Sequence, residues 1–197
     1  MKIAILADVH DNAHNLVMAL KHINENKELK KILFLGDFAG AAIAQLLKSS
    51  PIPVFAIWGN NDGDKALITK FALEEGSNLE VGFTVYDEIE IENRKIFMSH
   101  YPTLAMPMAR SGDFDAVFYG HNHLKNKDRV EKCLVMNPGE IGAYKTGECT
   151  YAIYDTETND AEIITVDNTI TANTKESQQM FKDIEFEFNQ QRGHKLK

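Results

Sequence analysis

The alternation of short aliphatic segments with helical patterns constrains the fold of this chain more than any other feature. Residues 2–7 form the first such segment, and apolar residues spaced by three and four follow it between Ala13 and Ile23. The aliphatic run predicts a buried strand, and the spaced apolar residues predict an amphipathic helix. The same alternation recurs in segments 31–35, 41–48, 54–57 and 65–74. Strands that alternate with helices predict a parallel sheet covered on both faces.

After Gly76 the sequence becomes rich in strand patterns. They cover residues 83–86, 88–91, 95–98, 116–119, 130–135, 150–154 and 161–166. A doubly wound nucleotide-binding fold does not account for this half of the chain. Two packed sheets with helices on the outside accommodate both halves.

The composition changes again near residue 169, where Asn, Thr, Gln and Glu dominate. In this part Met180, Ile184 and Phe188 share one face of a helix. We therefore predict a main domain over residues 1–168 and a C-terminal helical extension over residues 169–197. The mixed charge of its polar face favours packing on its own domain over binding to a membrane.

Composition limits the classes of function. The 197 residues carry 29 acidic and 21 basic side chains, a formal net charge of −8. Proteins that grip nucleic acid through its phosphates are usually basic, so nucleic-acid binding is not expected. Asp8 interrupts the N-terminal apolar run before it reaches the length of a signal-peptide core, and no stretch approaches the roughly 20 apolar residues of a membrane span. Because Cys133 and Cys149 form no disulfide framework or zinc motif, we expect a cytoplasmic protein without a membrane segment.

Side chains that bind metals fall where predicted strands end. They are Asp8, His10, Asp37, Asn60, His100, His121 and His123. The carboxyl ends of parallel strands lie along one edge of a sheet, so these seven residues should converge. Carboxylate, amide and imidazole ligands suit Mn²⁺, Fe²⁺, Zn²⁺, Ni²⁺ or Co²⁺. Seven ligands are too many for one catalytic ion, whereas two ions roughly 3.5–4 Å apart with a bridging carboxylate would use them all.

The segments Asp8-Val9-His10, Gly36-Asp37, Gly59-Asn60, His100 and Gly120-His121-Asn122-His123 resemble the five motifs of the calcineurin-like metallophosphoesterases, in the same order and strand context. The small size and the later Asn137-Pro138-Gly139 are similar to the compact bacterial and archaeal phosphodiesterase branch, which the retromer scaffold subunit also resembles. This resemblance covers about residues 1–166. It implies a four-layer α/β/β/α sandwich of two mixed β-sheets flanked by helices.

The resemblance also implies how the ligands are shared between two divalent metal ions, for which Mn²⁺ is favoured. Asp8, His10 and His123 would bind the first ion, Asn60, His100 and His121 would bind the second, and Asp37 would bridge them. Taken alone, each carboxylate is a common helix cap or turn residue and each histidine a common surface residue. The dinuclear centre is predicted by the set as a whole.

The expected reaction is hydrolysis of a small phosphate ester, with phosphodiesters favoured over monoesters. Two cations can lower the pKa of bound water to about 7, so that a hydroxide bridging the metals attacks phosphorus directly. The predicted catalytic residues are Asp37, Asn60, His100 and Asn12. Asn12 starts the first helix, where an amide and a helix terminus can receive an anion, and its alternative role is capping.

Two departures from the family pattern affect this prediction. Asn61 stands where many members have a histidine that protonates the leaving group. Without this general acid, the rate for poor leaving groups is expected to fall by about 10²–10⁴-fold. Tyr101-Pro102 follows His100 in place of glycine and histidine, so Tyr101 either binds a phosphate oxygen or packs at the rim. Segment 102–112 is a candidate to close over the site, where Arg110 would neutralise phosphate, and the favoured alternative for Arg110 is a solvated residue at a helix end.

Asp62 is expected to support the site or to cap the following helix. The alternative function is a catalytically weak or inactive scaffold or binding protein with this fold. The complete ligand set argues against a scaffold and Asn61 argues mildly for it. A homo-oligomer is compatible with either function.

Overall fold

The computed structural model describes residues 1–171, so the helix predicted around Met180, Ile184 and Phe188 lies outside the described residues. The domain boundary after residue 168 therefore stays a prediction. The elements in chain order are β1 (Lys2–Leu6), α1 (Ala13–Glu25), β2 (Leu29–Phe34), α2 (Ala41–Lys48), β3 (Val54–Ala56), α3 (Lys65–Ala72), β4 (Leu79–Val81), β5 (Tyr86–Ile91), β6 (Arg94–Ser99), α4 (Pro102–Ser111), β7 (Ala116–Tyr119), β8 (Asn126–Val130), β9 (Cys133–Asn137), β10 (Thr150–Asp155) and β11 (Asp160–Thr165).

The strands form two mixed sheets. The first has the order β11-β10-β1-β2-β3-β4, and the second has the order β5-β6-β7-β9-β8. Strands β1 to β4 are parallel to one another, as are β6, β7 and β9. The antiparallel neighbours β10, β5 and β8 make both sheets mixed.

Alternating side chains of β1 separate the layers. Ile3 and Ile5 belong to the core between the two sheets, whereas Ala4 and Leu6 belong to the core beneath the helices on the other face. Each fully buried isoleucine contributes about 1.5–3 kcal/mol relative to an exposed one. Helices α1, α2 and α3 cover the first sheet, and α4 covers the second through Ala105 and Ala109. This arrangement confirms the predicted four-layer α/β/β/α fold. Within residues 1–171, no helix has both the length and the apolar character needed to cross a membrane.

Two predicted strands are wrong. Segment 83–86 is mostly a bend in which Phe83 is 98% exposed, because the chain leaves the first sheet after β4 and enters the second at β5. Segment 130–135 contains a turn, since Glu131 has a φ of 54° and Val130 pairs with Cys133. The strand missed there, β8, is an edge strand whose exposed polar residues carry no apolar alternation.

Candidate metal centre

The seven predicted ligands lie together at the carboxyl ends of five strands. Asp8 and His10 follow β1, and Asp37 and Asn60 follow β2 and β3 of the first sheet. From the second sheet, His100 follows β6, while His121 and His123 follow β7. Because these strands are parallel within each sheet, residues that are distant in the sequence share one edge.

Asp8, His10 and His123 form the first group of donor atoms. Asp8 Oδ1 lies 3.8 Å from His10 Nε2 and 3.7 Å from His123 Nε2, and the two Nε2 atoms are 3.2 Å apart. Asp8 is fully buried, and its Oδ1 has no hydrogen-bond partner among the residues that the structure describes. Burial raises the pKa of Asp8 to about 7. A buried carboxylate oxygen without a donor is costly, and a cation at this point would remove that cost.

Asp37 faces both halves of the centre with different oxygen atoms. Its Oδ2 lies 3.3 Å from His10 Nε2, and its Oδ1 lies 3.5 Å from His100 Nε2. Asn61 donates its backbone N–H to Oδ1 at 2.8 Å and its side-chain amide to Oδ2 at 3.0 Å. Burial acts to raise the pKa of Asp37, but the nearby His100 and the two Asn61 donors outweigh it and hold that pKa below its usual value. Asp37 is therefore kept ionised between the two halves.

Asn60, His100 and His121 form the second group. Asn60 Oδ1 lies 2.9 Å from His100 Nε2 and 2.8 Å from His121 Nδ1. His100 Nδ1 donates to the carbonyl oxygen of Leu35 at 2.9 Å, and burial lowers the pKa of His100, so its Nε2 carries a lone pair. Two acceptor atoms that face each other this closely repel unless a cation lies between them. The donor set fits a second metal ion here.

The backbone of the site is strained. Five site residues have φ values between 48° and 73°, in the left-handed region that non-glycine residues rarely adopt: Asp8, His10, Asp37, His121 and His123. Such conformations cost of order 1–3 kcal/mol each and concentrate at functional sites. The glycine of one motif also removes a steric barrier, since a β-carbon on Gly36 would lie 2.6 Å from the backbone nitrogen of Gly59.

Asn12 takes its alternative role. Its Oδ1 accepts from the Asn15 backbone N–H and caps α1, while its amide donates to the carbonyl oxygens of Gly142 and Ile170. Both amide hydrogens thus have protein acceptors, and an anion would have to displace them. We therefore leave Asn12 out of the proposed catalytic residues.

Asp62 supports the site without joining it. It accepts from the backbone N–H groups of Phe38 and Gly59, and so ties the loop after β2 to the loop after β3. The cap of α3 is Asp64, whose Oδ1 accepts from the Leu67 backbone N–H.

Tyr101 packs edge-on against the imidazoles of His100 and His121, with ring centres 5.1 and 4.9 Å apart. The segment after it does not cover the site, because residues 102–111 form α4 on the outer face of the second sheet. Arg110 is exposed in the last turn of α4, about 13 Å along the helix axis from Tyr101. In this structure the segment therefore does not close over the site.

The sequence did not indicate three residues that complete the site. Glu140 is a buried carboxylate 2.6 Å from His123 Nδ1. Tyr144 and Lys145 line a cavity of about 510 Å³ together with His10, Asp37, Asn60, His121 and His123. The signal for Glu140 was its position directly after Asn137-Pro138-Gly139 at the end of β9, whereas Tyr144 and Lys145 lie in a loop without regular structure.

The structure thus combines two packed β-sheets with candidate metal ligands at the strand ends. Residues 1–159 match the calcineurin-like phosphoesterase superfamily domain, and the chain belongs to this superfamily. The resemblance drawn from the five motifs is thereby confirmed.

Individual relatives agree with this assignment. A phosphodiesterase of Methanocaldococcus jannaschii is 32% identical over 159 residues, which are 80% of this chain and 94% of that protein. A solved archaeal phosphodiesterase has a TM-score of 0.75 at 29% identity over 84% of this chain and 100% of its own. Vps29 of Entamoeba histolytica, solved with Zn²⁺, has a TM-score of 0.60 at 15% identity over 84% of this chain and 99% of its own. At that identity the likeness to Vps29 concerns the fold alone.

Proposed function

We propose that this protein is a phosphodiesterase that uses two divalent metal ions to hydrolyse small phosphate esters. The observation that carries the proposal is Asp37, which lies 3.3 Å from His10 through one oxygen and 3.5 Å from His100 through the other. A carboxylate held between two groups of oxygen and nitrogen ligands is suited to bridge two cations.

The residues divide between the two ions as the motifs imply. Asp8, His10 and His123 would hold the first, Asn60, His100 and His121 would hold the second, and Asp37 would bridge them. When bound, the two cations acidify a water molecule to a pKa of about 7 and neutralise charge that builds on the phosphoryl group. Mn²⁺ is our first choice because it accepts this mixture of oxygen and nitrogen ligands.

The cavity beside these residues suits a small anionic ester. Lys145 lines it, and the positive charge of Lys145 contributes to the lowered pKa of His10, after the larger effect of burial. We assign Lys145 the task of attracting a non-bridging phosphate oxygen. Tyr144 on the same wall has its ring 6.1 Å from that of His10 and offers an aromatic surface to the ester group.

Asn61 limits the choice of leaving group. Its side chain donates to Asp37 and has no proton of useful acidity, so it positions the bridging carboxylate. Esters with acidic leaving groups need no general acid, and they are the substrates that this site favours.

A scaffold role is the second candidate, since the fold is shared with Vps29. Two features favour catalysis. A scaffold has no need for seven converging metal-ligand side chains. It also has no need for a buried Asp8 Oδ1 that lacks a hydrogen-bond partner among the described residues. The relatives named as phosphodiesterases are also more similar in sequence to this chain than Vps29 is.

The test is a hydrolysis screen with added Mn²⁺ over phosphomonoesters, phosphodiesters and cyclic phosphates, including bis-p-nitrophenyl phosphate. We expect turnover of diesters with acidic leaving groups and its loss in Asp37→Asn. Asp64→Asn is the matched control, because Asp64 is an exposed helix cap outside the centre. Absence of turnover of every ester in the Mn²⁺ screen, or equal turnover in Asp37→Asn, would favour the scaffold.

A further inference from the structure

Glu140 accepts hydrogen bonds from two different parts of the site with its two oxygens. Its Oε2 accepts from His123 Nδ1 at 2.6 Å and from the Tyr144 backbone N–H at 2.9 Å. Its Oε1 accepts from the Lys145 backbone at 2.9 Å and from the backbone and hydroxyl of Thr146 at 2.7 and 2.8 Å. The side chain is fully buried, so these donors replace the water that a carboxylate otherwise requires.

The contact with His123 fixes which ring nitrogen carries the proton. Because a carboxylate only accepts, His123 Nδ1 must be the donor. In the neutral imidazole, Nε2 then keeps its lone pair and faces Asp8 Oδ1 at 3.7 Å. Carboxylates that hold a metal-binding histidine in this way orient the ring and increase its basicity.

The contacts with residues 144–146 fix the loop that forms one wall of the cavity. Three successive backbone N–H groups of this loop point to the same carboxylate, which sets the course of the backbone there. Tyr144 and Lys145 line the same cavity as Asn60 and His121. One buried side chain therefore links residues 144–146 directly to the metal ligand His123.

We propose that Glu140 is a positioning residue that couples the first metal ion to the substrate wall, because its Oε2 holds both His123 and the Tyr144 backbone and its Oε1 holds Lys145 and Thr146 of the same loop. This inference rests on the proposed function and deepens it. Glutamine cannot replace Glu140, because its NH₂ group would face N–H donors whichever way the amide is turned.

Glu140→Gln tests the proposal against Glu148→Gln. The control removes the same charge at position 148, from an exposed side chain that pairs with Lys125 at the surface. In calorimetric titrations with Mn²⁺, we expect Glu140→Gln to bind one of the two ions 10–100-fold more weakly and Glu148→Gln to match the wild type. At saturating Mn²⁺, Glu140→Gln should still show a raised KM for bis-p-nitrophenyl phosphate, because the loop is displaced.

A measurement on the wild type keeps the test independent of how well the variant folds. Nitrogen NMR of the histidine rings in the metal-free protein should show His123 protonated at Nδ1 alone. Protonation at Nε2, or equal Mn²⁺ affinities in Glu140→Gln and Glu148→Gln, would overturn the proposal for Glu140. If the wild type itself binds no Mn²⁺ and hydrolyses nothing, the proposed function fails instead.

Discussion

Gly59 packs against Asp37 so closely that a β-carbon at position 59 would lie 2.5 Å from the Asp37 backbone nitrogen and would overlap its Oδ1. The Asp37 backbone nitrogen cannot move away from such a β-carbon unless the whole residue shifts. Gly59→Ala should therefore displace the carboxylate assigned as the bridge. We expect at least a 100-fold loss of Mn²⁺-dependent hydrolysis while circular dichroism shows an intact fold.

Gly76→Ala is the control for this substitution. A β-carbon there meets nothing within 4 Å, but the residue has a φ of +78°, so alanine costs stability at a point outside the site. Hydrolysis by Gly76→Ala should match the wild type below its melting temperature. Normal hydrolysis by Gly59→Ala would mean that Asp37 does not need its present position.

Asp8→Asn should stabilise the metal-free protein at high pH. The pKa of Asp8 is raised from 3.8 to about 7, so between these values the folded protein holds a proton that the unfolded chain has lost. The free energy of unfolding of the wild type therefore falls as the pH rises from 3.8 to about 7. Above pH 7 the total loss from this group reaches up to about 4 kcal/mol. The amide of asparagine does not ionise and avoids this cost.

Melting curves in EDTA at pH 5 and pH 8 measure the effect. The difference in melting temperature between Asp8→Asn and the wild type should grow by several degrees from pH 5 to pH 8. Added Mn²⁺ should stabilise the wild type more than the variant, because the variant lacks one of the ligands assigned to the first ion. A difference that is independent of pH would show that Asp8 has an ordinary pKa.

Lys145→Gln should weaken substrate binding more than catalysis. Lys145 lines the cavity, where we have assigned its charge the task of attracting the phosphate ester. We expect KM for bis-p-nitrophenyl phosphate to rise about tenfold, with a smaller effect at high salt because ions screen the attraction. Lys125→Gln is the control, since Lys125 pairs with Glu148 on the surface. Unchanged KM in Lys145→Gln would remove this residue from the substrate wall.

Asn61→His should alter the preference for leaving groups. Histidine at this position supplies a proton donor, although it gives up the side-chain hydrogen bond to Asp37 and lowers overall rates. The rate for a phenyl ester relative to its p-nitrophenyl analogue should rise at least tenfold, because only the poorer leaving group needs the proton. Asn61→Ala removes the amide without adding an acid and should leave that ratio unchanged. An unchanged ratio in Asn61→His would mean that position 61 is out of reach of the leaving group.

The sequence predicted those parts of the site that depend on strand ends. Asp8, Asp37 and His121 follow buried strands whose apolar runs are unmistakable, and their side chains meet because parallel strands end at one edge. The order of sheets and helices was also predictable, because the hydrophobic periodicity of each segment reflects which of its faces is buried.

The features that the sequence did not predict depend on contacts between distant residues. Asn12 turned out to cap α1 because Gly142 and Ile170, far along the chain, offer acceptors for its amide. Glu140 was missed because its importance comes from His123 and from a loop without regular structure. Local patterns carry no information about such partners.

The most direct test of the dinuclear centre is the number of metal ions that hydrolysis requires. Metal-free protein is titrated with Mn²⁺ in a calorimeter while the hydrolysis of bis-p-nitrophenyl phosphate is followed at each addition. We predict two ions per chain, activity that rises with the second ion, and at most one bound ion with no turnover in Asp37→Asn. Full activity with one ion or none, or an unaltered titration in Asp37→Asn, would contradict the dinuclear centre.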